Sequence, residues 1–273
     1  MSIHFSMNPI LLTLGSVEVR WYGLMTALAM LTVVVWTYFA AKKAGIPSDV
    51  VYMSAMWAIP FGLVISHLVA VVDDLNHYTE NPGDIVGFSG LTLYGGILGA
   101  ALGIWIYTRI RGQPFWQLAD VAAPGVILGQ AVGRIGCAIN GCCYGTPTAL
   151  PWGFEYTNLD TVAASERLGI PTHPVVVYEL LFDLAIFCML LAVRRKMIAE
   201  GSLFLLYLAT YSAGRFLFSY LRENTTYGGL REAQIIALVV LVVAVPLLVY
   251  RLHWKKLAVL PLNAQDKSKS STY

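Results

Sequence analysis

Seven apolar runs constrain this chain more than any other feature. Each is long enough to cross a hydrocarbon core, which takes about 20 residues as helix. They lie near residues 19–40, 51–72, 88–109, 117–139, 174–194, 200–221 and 232–250. Composition agrees, since 57% of the 273 residues are hydrophobic and only 12% are charged, about half the charged share of a soluble domain. The expected fold is an all-α integral membrane protein of seven transmembrane helices. One membrane domain covers 1–256, with a small extracytoplasmic head in the loop about 141–172. A polar tail, 257–273, has too little apolar surface to fold. The first span opens with "VRWYGL", too polar and too far in for a cleaved secretory signal. The residues before it, "MSIHFSMNPILLTLGSV", read as a short segment lying at the interface.

Basic residues set the orientation. Lys42 and Lys43 follow span one, Arg109 and Arg111 span three, Arg194, Arg195 and Lys196 span five, and Arg251, Lys255 and Lys256 span seven. The intervening loops are poor in Lys and Arg, which puts the N-terminus outside and the C-terminus in the cytoplasm. A net charge of +2 leaves no nucleic-acid footprint.

A charge deep in a bilayer costs at least ~2.5 kcal/mol, so intramembrane ionisable residues are functional candidates. On this topology Arg20, Tyr22, His67, Tyr94, Arg134, His173, Glu179, Tyr211 and Arg215 all fall in the outer half. Asp120 does not, and Asp183 lies deeper than Glu179. Tyr211, Arg215 and Ser219 are four apart and Arg222 is seven beyond Arg215, so they share one helical face. Gln130 and Arg134 share another. Glycine ladders at 95, 99 and 103 and at 125, 129 and 133 let backbones approach closely in lipid. They are expected to bring spans three and four together, with Tyr94 near Arg134. Two guanidiniums on facing helices suit a phosphate, because the planar fork makes paired, charge-assisted hydrogen bonds. A phosphate at the outer surface points to a phospholipid headgroup. The plainer alternative is internal pairing, Arg134 with Glu179, that only holds helices together.

The densest chemistry is "GRIGCAINGCCYG" at 133–145. It resembles the signature of the prolipoprotein diacylglyceryl transferases, Gly-Arg-x-Gly-Asn, then Asn-Gly-Glu, then Gly. Further motifs follow the family's order. "RWYGL" at 20–24 is similar to its "HWYGL", "GLTLYGG" at 90–96 to its segment ending His-Gly-Gly, and "HPVVVYE" at 173–179 to its "HPxxLYE". "YSAGRFLFSYLRE" at 211–223 resembles its Tyr-x-x-x-Arg-Phe stretch. The resemblance covers about 15–250. It implies transfer of a diacylglyceryl group from phosphatidylglycerol to the lipobox cysteine thiol of a prolipoprotein, with release of glycerol phosphate. It also implies a bacterial inner-membrane enzyme, a site facing the outer leaflet, and no cofactor.

By the same resemblance, Arg134 and Arg215 hold and stabilise the phosphate. Tyr22 and Asn140 position the headgroup, with Arg20, Cys137 and Tyr211 among the substrate-binding positions. Gly145 keeps the loop backbone close to substrate, Glu179 orients its neighbours, and Arg222 with Glu223 closes the outer end of span six. The chain departs from the pattern at four places: Tyr94 stands for His, Cys137 for Asn, Cys142 for Glu, and Ser219 for a Glu after the span-six arginine. A tyrosine with a pKa of about 10 is a poor base near pH 7, so Tyr94 and Cys142 enter the catalytic set without a defined base. A divergent paralogue with the same donor and another acceptor is one alternative. A non-catalytic lipid-binding protein or transporter is another, although no internal repeat of the transporter kind is evident.

Three readings apply to Cys137, Cys142 and Cys143. A structural bridge pins the loop after Asn140, as extracytoplasmic cysteines commonly do. A reactive thiolate near Arg134 gives covalent catalysis. A metal site is set aside, because four intervening residues and then adjacent cysteines is not a usual zinc spacing and only His173 could add a ligand. Cys188 reads as a small buried apolar residue. His67 reads as a hydrogen-bonded packing residue, and His173-Pro174 as an ordinary helix start.

Overall fold

Seven long helices occupy the seven apolar runs of this computed structural model, which describes residues 2–15, 17–73, 75–80, 83, 93–196, 199–222, 226–227 and 229–258. In chain order they are α1 (Trp21–Lys43), α2 (Ser48–Asp73), then after the short α3 (Leu75–Glu80), α4 (Leu93–Ile110), α5 (Phe115–Asn140), α6 (Val175–Val193), α7 (Ser202–Ser219) and α8 (Glu232–Ala258). Five of them, α1, α2, α5, α6 and α8, are long and apolar enough to cross a membrane. The chain is thus a mostly helical, multi-pass integral membrane protein. The expected start of span three at 88 and the tail 259–273 lie outside the described residues.

The chain divides into two compact units, Met1–Val33 with Ala123–Tyr273, and Val34–Ala122. In the second unit, α2 and α4 pack closely because glycine leaves room. A Cβ at Gly99 would lie 2.7 Å from the Ile65 Cβ, and one at Gly103 2.7 Å from the Trp57 carbonyl oxygen. Gly99 and Gly103 of the ladder on span three therefore meet α2, its hairpin neighbour. Ala41, Ile46, Val50, Val51, Tyr107 and Leu118 form this unit's buried core. His67 is buried here, its ring edge-on to Tyr78 at 6.0 Å.

In the first unit Gly129 and Gly136 of α5 face α1, whereas a Cβ at Gly133 would meet nothing within 4 Å. A Cβ at Gly129 would meet Val33 Cγ2 at 2.7 Å and one at Gly136 the Met25 Cβ at 2.8 Å. Consecutive small residues on one helical face pack whichever apolar neighbour the topology supplies, so their partner cannot be read from spacing alone. Ala123 and Ile127 of α5, Ile186 and Leu190 of α6, and Leu203 and Tyr207 of α7 make the buried core here. Cys188 is exposed on α6, which corrects its expected burial. A thiol is apolar enough to sit on the lipid-facing side of a helix.

The opening residues are strands. β1 (Ile3–Phe5) pairs in parallel with β4 (Phe154–Tyr156), His4 opposite Glu155. β2 (Ile10–Leu14) and β3 (Val17–Arg20) form an antiparallel hairpin that leads directly into α1. Phe5 stacks on Phe154 at 5.5 Å and meets the Tyr156 ring edge-on. The head thus draws on residues 2–20 as well as the loop 141–172. The alternating "IHF" and "ILLTL" segments were too short to separate from an interfacial stretch by periodicity. Two further short strands, β5 (Thr226–Tyr227) and β6 (Leu230–Arg231), pair before α8.

Candidate active site

One carboxylate gathers three guanidiniums. Glu179, 3% exposed on α6, lies 3.1 Å from Arg134 Nε of α5, 2.7 Å from Arg215 Nη1 of α7, and 2.6 Å from Arg222 Nη2 just beyond α7. The 211–222 face predicted from helical spacing is real, and it delivers two of the three cations. Arg134 also donates to the Tyr211 hydroxyl at 3.5 Å. Tyr211 stacks on Tyr207 at 6.0 Å, and the Tyr207 hydroxyl donates to Gln130 Oε1 at 3.1 Å. Arg134 thus pairs with Glu179, as the internal-pairing reading expects. Asp183, one turn along α6 and 1% exposed, is the other carboxylate facing Arg134, Arg215 and Glu179. Among the described residues the three guanidiniums thus meet two carboxylates, Glu179 and Asp183. Asp183 was not assigned to the site from sequence, although its spacing of four from Glu179 places it on the same face.

The three arginines differ in exposure. The Arg222 side chain is 6% exposed, those of Arg134 and Arg215 are 15% and 21%. Arg222 is a buried clamp, whereas Arg134 and Arg215 retain surface that a ligand can reach. Ser219 is fully buried, its hydroxyl bonded to the Phe216 carbonyl at 2.6 Å.

The end of α5 explains how the cysteines meet. Gly141 takes a left-handed φ of 66°, its N–H bonds to Ala138 O at 3.3 Å, and the Cys142 N–H bonds back to Cys137 O at 3.2 Å. These are the two reversed hydrogen bonds of a Schellman helix stop, which needs a residue without a Cβ penalty at this point. The stop folds Cys142 and Cys143 back over Cys137, so that the three sulfurs lie within 4.8 Å of one another. All three are free thiols. Cys143 adopts φ 62°, the one non-glycine left-handed residue among those described, and such strain gathers at functional sites. Hydrogen bonds from the other two thiols, with help from Arg222 and Arg134, hold the Cys143 thiol well below its usual range. Hydrogen bonding to its neighbours and burial push Cys142 up. These neighbours thus favour the charged form at Cys143 and the neutral form at Cys142, the thiol that the sequence reading singled out.

The remaining predicted residues divide clearly. Tyr22, half-exposed at the start of α1, interacts electrostatically with Arg134 and the three cysteines, and its backbone passes 3.5 Å from where a Gly136 Cβ would stand. Asn140 is buried with its Oδ1 unpartnered. Gly145 is required, since a Cβ there would lie 2.7 Å from His173 Cβ, Leu221 O and Val175 Cγ2. Its N–H bonds to His173 O at 3.0 Å, and the adjacent Thr146 N–H to Leu221 O at 2.8 Å. Arg20 is drawn into the head instead. It ends β3, pairs with Glu18 at 3.4 Å and donates to Asp160 O at 3.4 Å, because the strand carries its side chain toward the head loop. Tyr94 lies in α4, its side chain not described, and Glu223 lies outside the described residues.

A sequence profile of the prolipoprotein diacylglyceryl transferases matches residues 9–250. Among similar proteins, the phosphatidylglycerol–prolipoprotein diacylglyceryl transferase of Dehalococcoides mccartyi is 40% identical over 253 residues, 92% of this chain and 96% of its own length. Those so named from Clostridioides difficile and Lysinibacillus sphaericus are 35% and 33% identical, covering 85% and 89% of this chain and 91% and 92% of their own. With profile and relatives spanning the membrane region and the arginine cluster alike, the chain belongs to the prolipoprotein diacylglyceryl transferase family.

Proposed function

We propose that the chain transfers a diacylglyceryl group from phosphatidylglycerol to the lipobox cysteine thiol of a prolipoprotein, releasing glycerol phosphate. The observation that carries this is the convergence of three guanidiniums, from Arg134, Arg215 and Arg222, on the one buried carboxylate of Glu179. Guanidiniums gathered among membrane helices mark a substrate path, and a phosphodiester presents the oxygens a guanidinium fork fits. Arg134 and Arg215 grip the phosphate and stabilise the charge that develops as its C–O bond breaks. Arg222 and Glu179 hold those two side chains in place. Asn140 Oδ1, buried without a partner, accepts from a headgroup hydroxyl beside Tyr22, and Tyr211 fixes Arg134. Gly145 keeps the loop against the substrate, and Tyr94 takes the position of the family's histidine.

The enzyme sits in the bacterial inner membrane with seven spans, its N-terminus outside and its C-terminus cytoplasmic. The distribution of basic residues supports that orientation. The site then opens to the outer leaflet, where the strand-built head meets the secreted substrate. The test is incubation of purified protein with phosphatidylglycerol and a lipobox peptide, read by mass spectrometry. The peptide gains a diacylglyceryl mass on its cysteine. Release of glycerol phosphate without peptide modification would replace this reading with another acceptor, which the substitutions at 94, 137, 142 and 219 favour as the second reading. Lipid binding without turnover would leave only a carrier role.

A further inference from the structure

We propose that Cys137, Cys142 and Cys143 hold a thiophilic divalent metal of the zinc type, whose fourth position receives the acceptor thiol and deprotonates it. The inference rests on the transfer reaction proposed above. Three thiolates at about 2.3 Å from a tetrahedral ion sit about 3.8 Å apart, and these sulfurs already lie within 4.8 Å of one another. The helix stop at Gly141 and the strained backbone of Cys143 bring them together, an arrangement that linear spacing did not disclose. Among the described residues no fourth His, Cys, Asp or Glu joins the group. Three protein ligands and one vacant position is the pattern of a catalytic zinc site, not a structural one.

The chemistry needs such a group. Where the family pattern carries His and Glu, this chain carries Tyr94 and Cys142, and neither supplies a base near neutral pH. A metal-bound thiol loses its proton outright, so the ion would do what the absent base cannot. The acceptor S–H binds, its proton passes to solvent, and the bound thiolate attacks the glycerol carbon of the lipid. The S–C bond forms as the C–O bond to phosphate breaks, and the leaving electron pair stays on the glycerol phosphate oxygen. The step is a substitution with no change of oxidation state. The neutral thioether product is a poor ligand and departs. An ion with three thiolates carries one negative charge, and Arg134 and Arg222, which act electrostatically on Cys143, offset it. A resident cysteine as covalent lipid carrier is excluded by the same chemistry, because a thioether carbon is not readily transferred onward.

The test uses full-length protein in detergent, reduced and stripped of metal with a chelator. Titration with cadmium, without substrate, should raise a thiolate-to-metal charge-transfer band that saturates at one ion per chain. The band should persist in Cys188→Ser and disappear in Cys137→Ser and Cys142→Ser. Stripping should lower lipobox-peptide modification about a hundredfold or more, and one equivalent of zinc should restore it. Absence of the band, a band unchanged in the cluster variants, full transfer by stripped protein, or a disulfide among these three cysteines in active enzyme would each overturn the proposal. Failure of the parent reading looks different: the band forms, yet neither stripped nor loaded protein modifies the peptide, and the deprotonating role falls with it.

Discussion

Glu179→Gln is the sharpest perturbation this site offers. The change is nearly isosteric, so packing is preserved, but it removes the charge that three guanidiniums share at 3.1, 2.7 and 2.6 Å. It also turns one oxygen into an NH2 that points its hydrogens at a cation. Breaking a buried ion pair by removing one partner costs about 3–5 kcal/mol. The partly open Arg134 and Arg215 side chains place this site at the lower end, about 3 kcal/mol, or roughly two orders of magnitude in the folded-to-unfolded ratio. Catalysis should fall by a further factor of about 10²–10³, since the donors are no longer aimed at the leaving phosphate. Denaturant unfolding in detergent measures the first quantity and peptide modification the second. Glu179→Asp separates them: it keeps the charge and regains part of the stability, but one methylene less withdraws the carboxylate, and turnover stays low. Wild-type stability and turnover in Glu179→Gln would refute the hub.

Arg134→Ala and Arg215→Ala should abolish turnover while leaving folded protein, whereas Arg222→Ala, being almost fully buried, should cost mainly stability; wild-type rates in the first two would remove the phosphate assignment. Gly145→Ala should destabilise by about 1–3 kcal/mol through overpacking, seen as a lowered unfolding midpoint, because its Cβ would lie 2.7 Å from His173 Cβ, Leu221 O and Val175 Cγ2. In reduced, metal-free protein, iodoacetamide should label Cys143 at lower pH than Cys142, as read by peptide mass spectrometry. The sign follows from the directions: a lowered pKa keeps Cys143 anionic as pH falls, and a raised one keeps Cys142 protonated.

Helix positions were legible because twenty apolar residues in a row have few other fates, and the arginine face of α7 because a period of 3.6 fixes which residues align. What spacing could not supply was partnership. Gly99 and Gly103 of α4 meet α2, and Gly129 and Gly136 of α5 meet α1, since a smooth face accepts any neighbour the chain presents. Asp183 was passed over as too deep, though its register with Glu179 was available. The cysteines were misjudged for a related reason. Metal-ligand spacings assume an extended loop or a single helix, whereas here a helix stop reverses the chain and brings residues five and six apart into contact. Short strands of three to five residues gave too little alternation to outweigh an apolar N-terminal composition.

The shared carboxylate has a consequence for how the site handles its anion. Each guanidinium carries five N–H groups in a fixed fork, and Glu179 engages one nitrogen of each: Nε of Arg134, Nη1 of Arg215 and Nη2 of Arg222. Without it the three cations would repel one another by several kcal/mol per pair at an effective dielectric of about 20 and would splay. With it they converge on one point. On the proposed function a phosphate has no need to displace Glu179 and adds to a cluster already oriented. The two possibilities separate experimentally. If Glu179 competed with the phosphate, Glu179→Ala would bind lipid more tightly, because a rival anion is gone. If Glu179 orients the forks, the same variant binds more weakly despite its greater positive charge, and the geometry found here requires the second outcome.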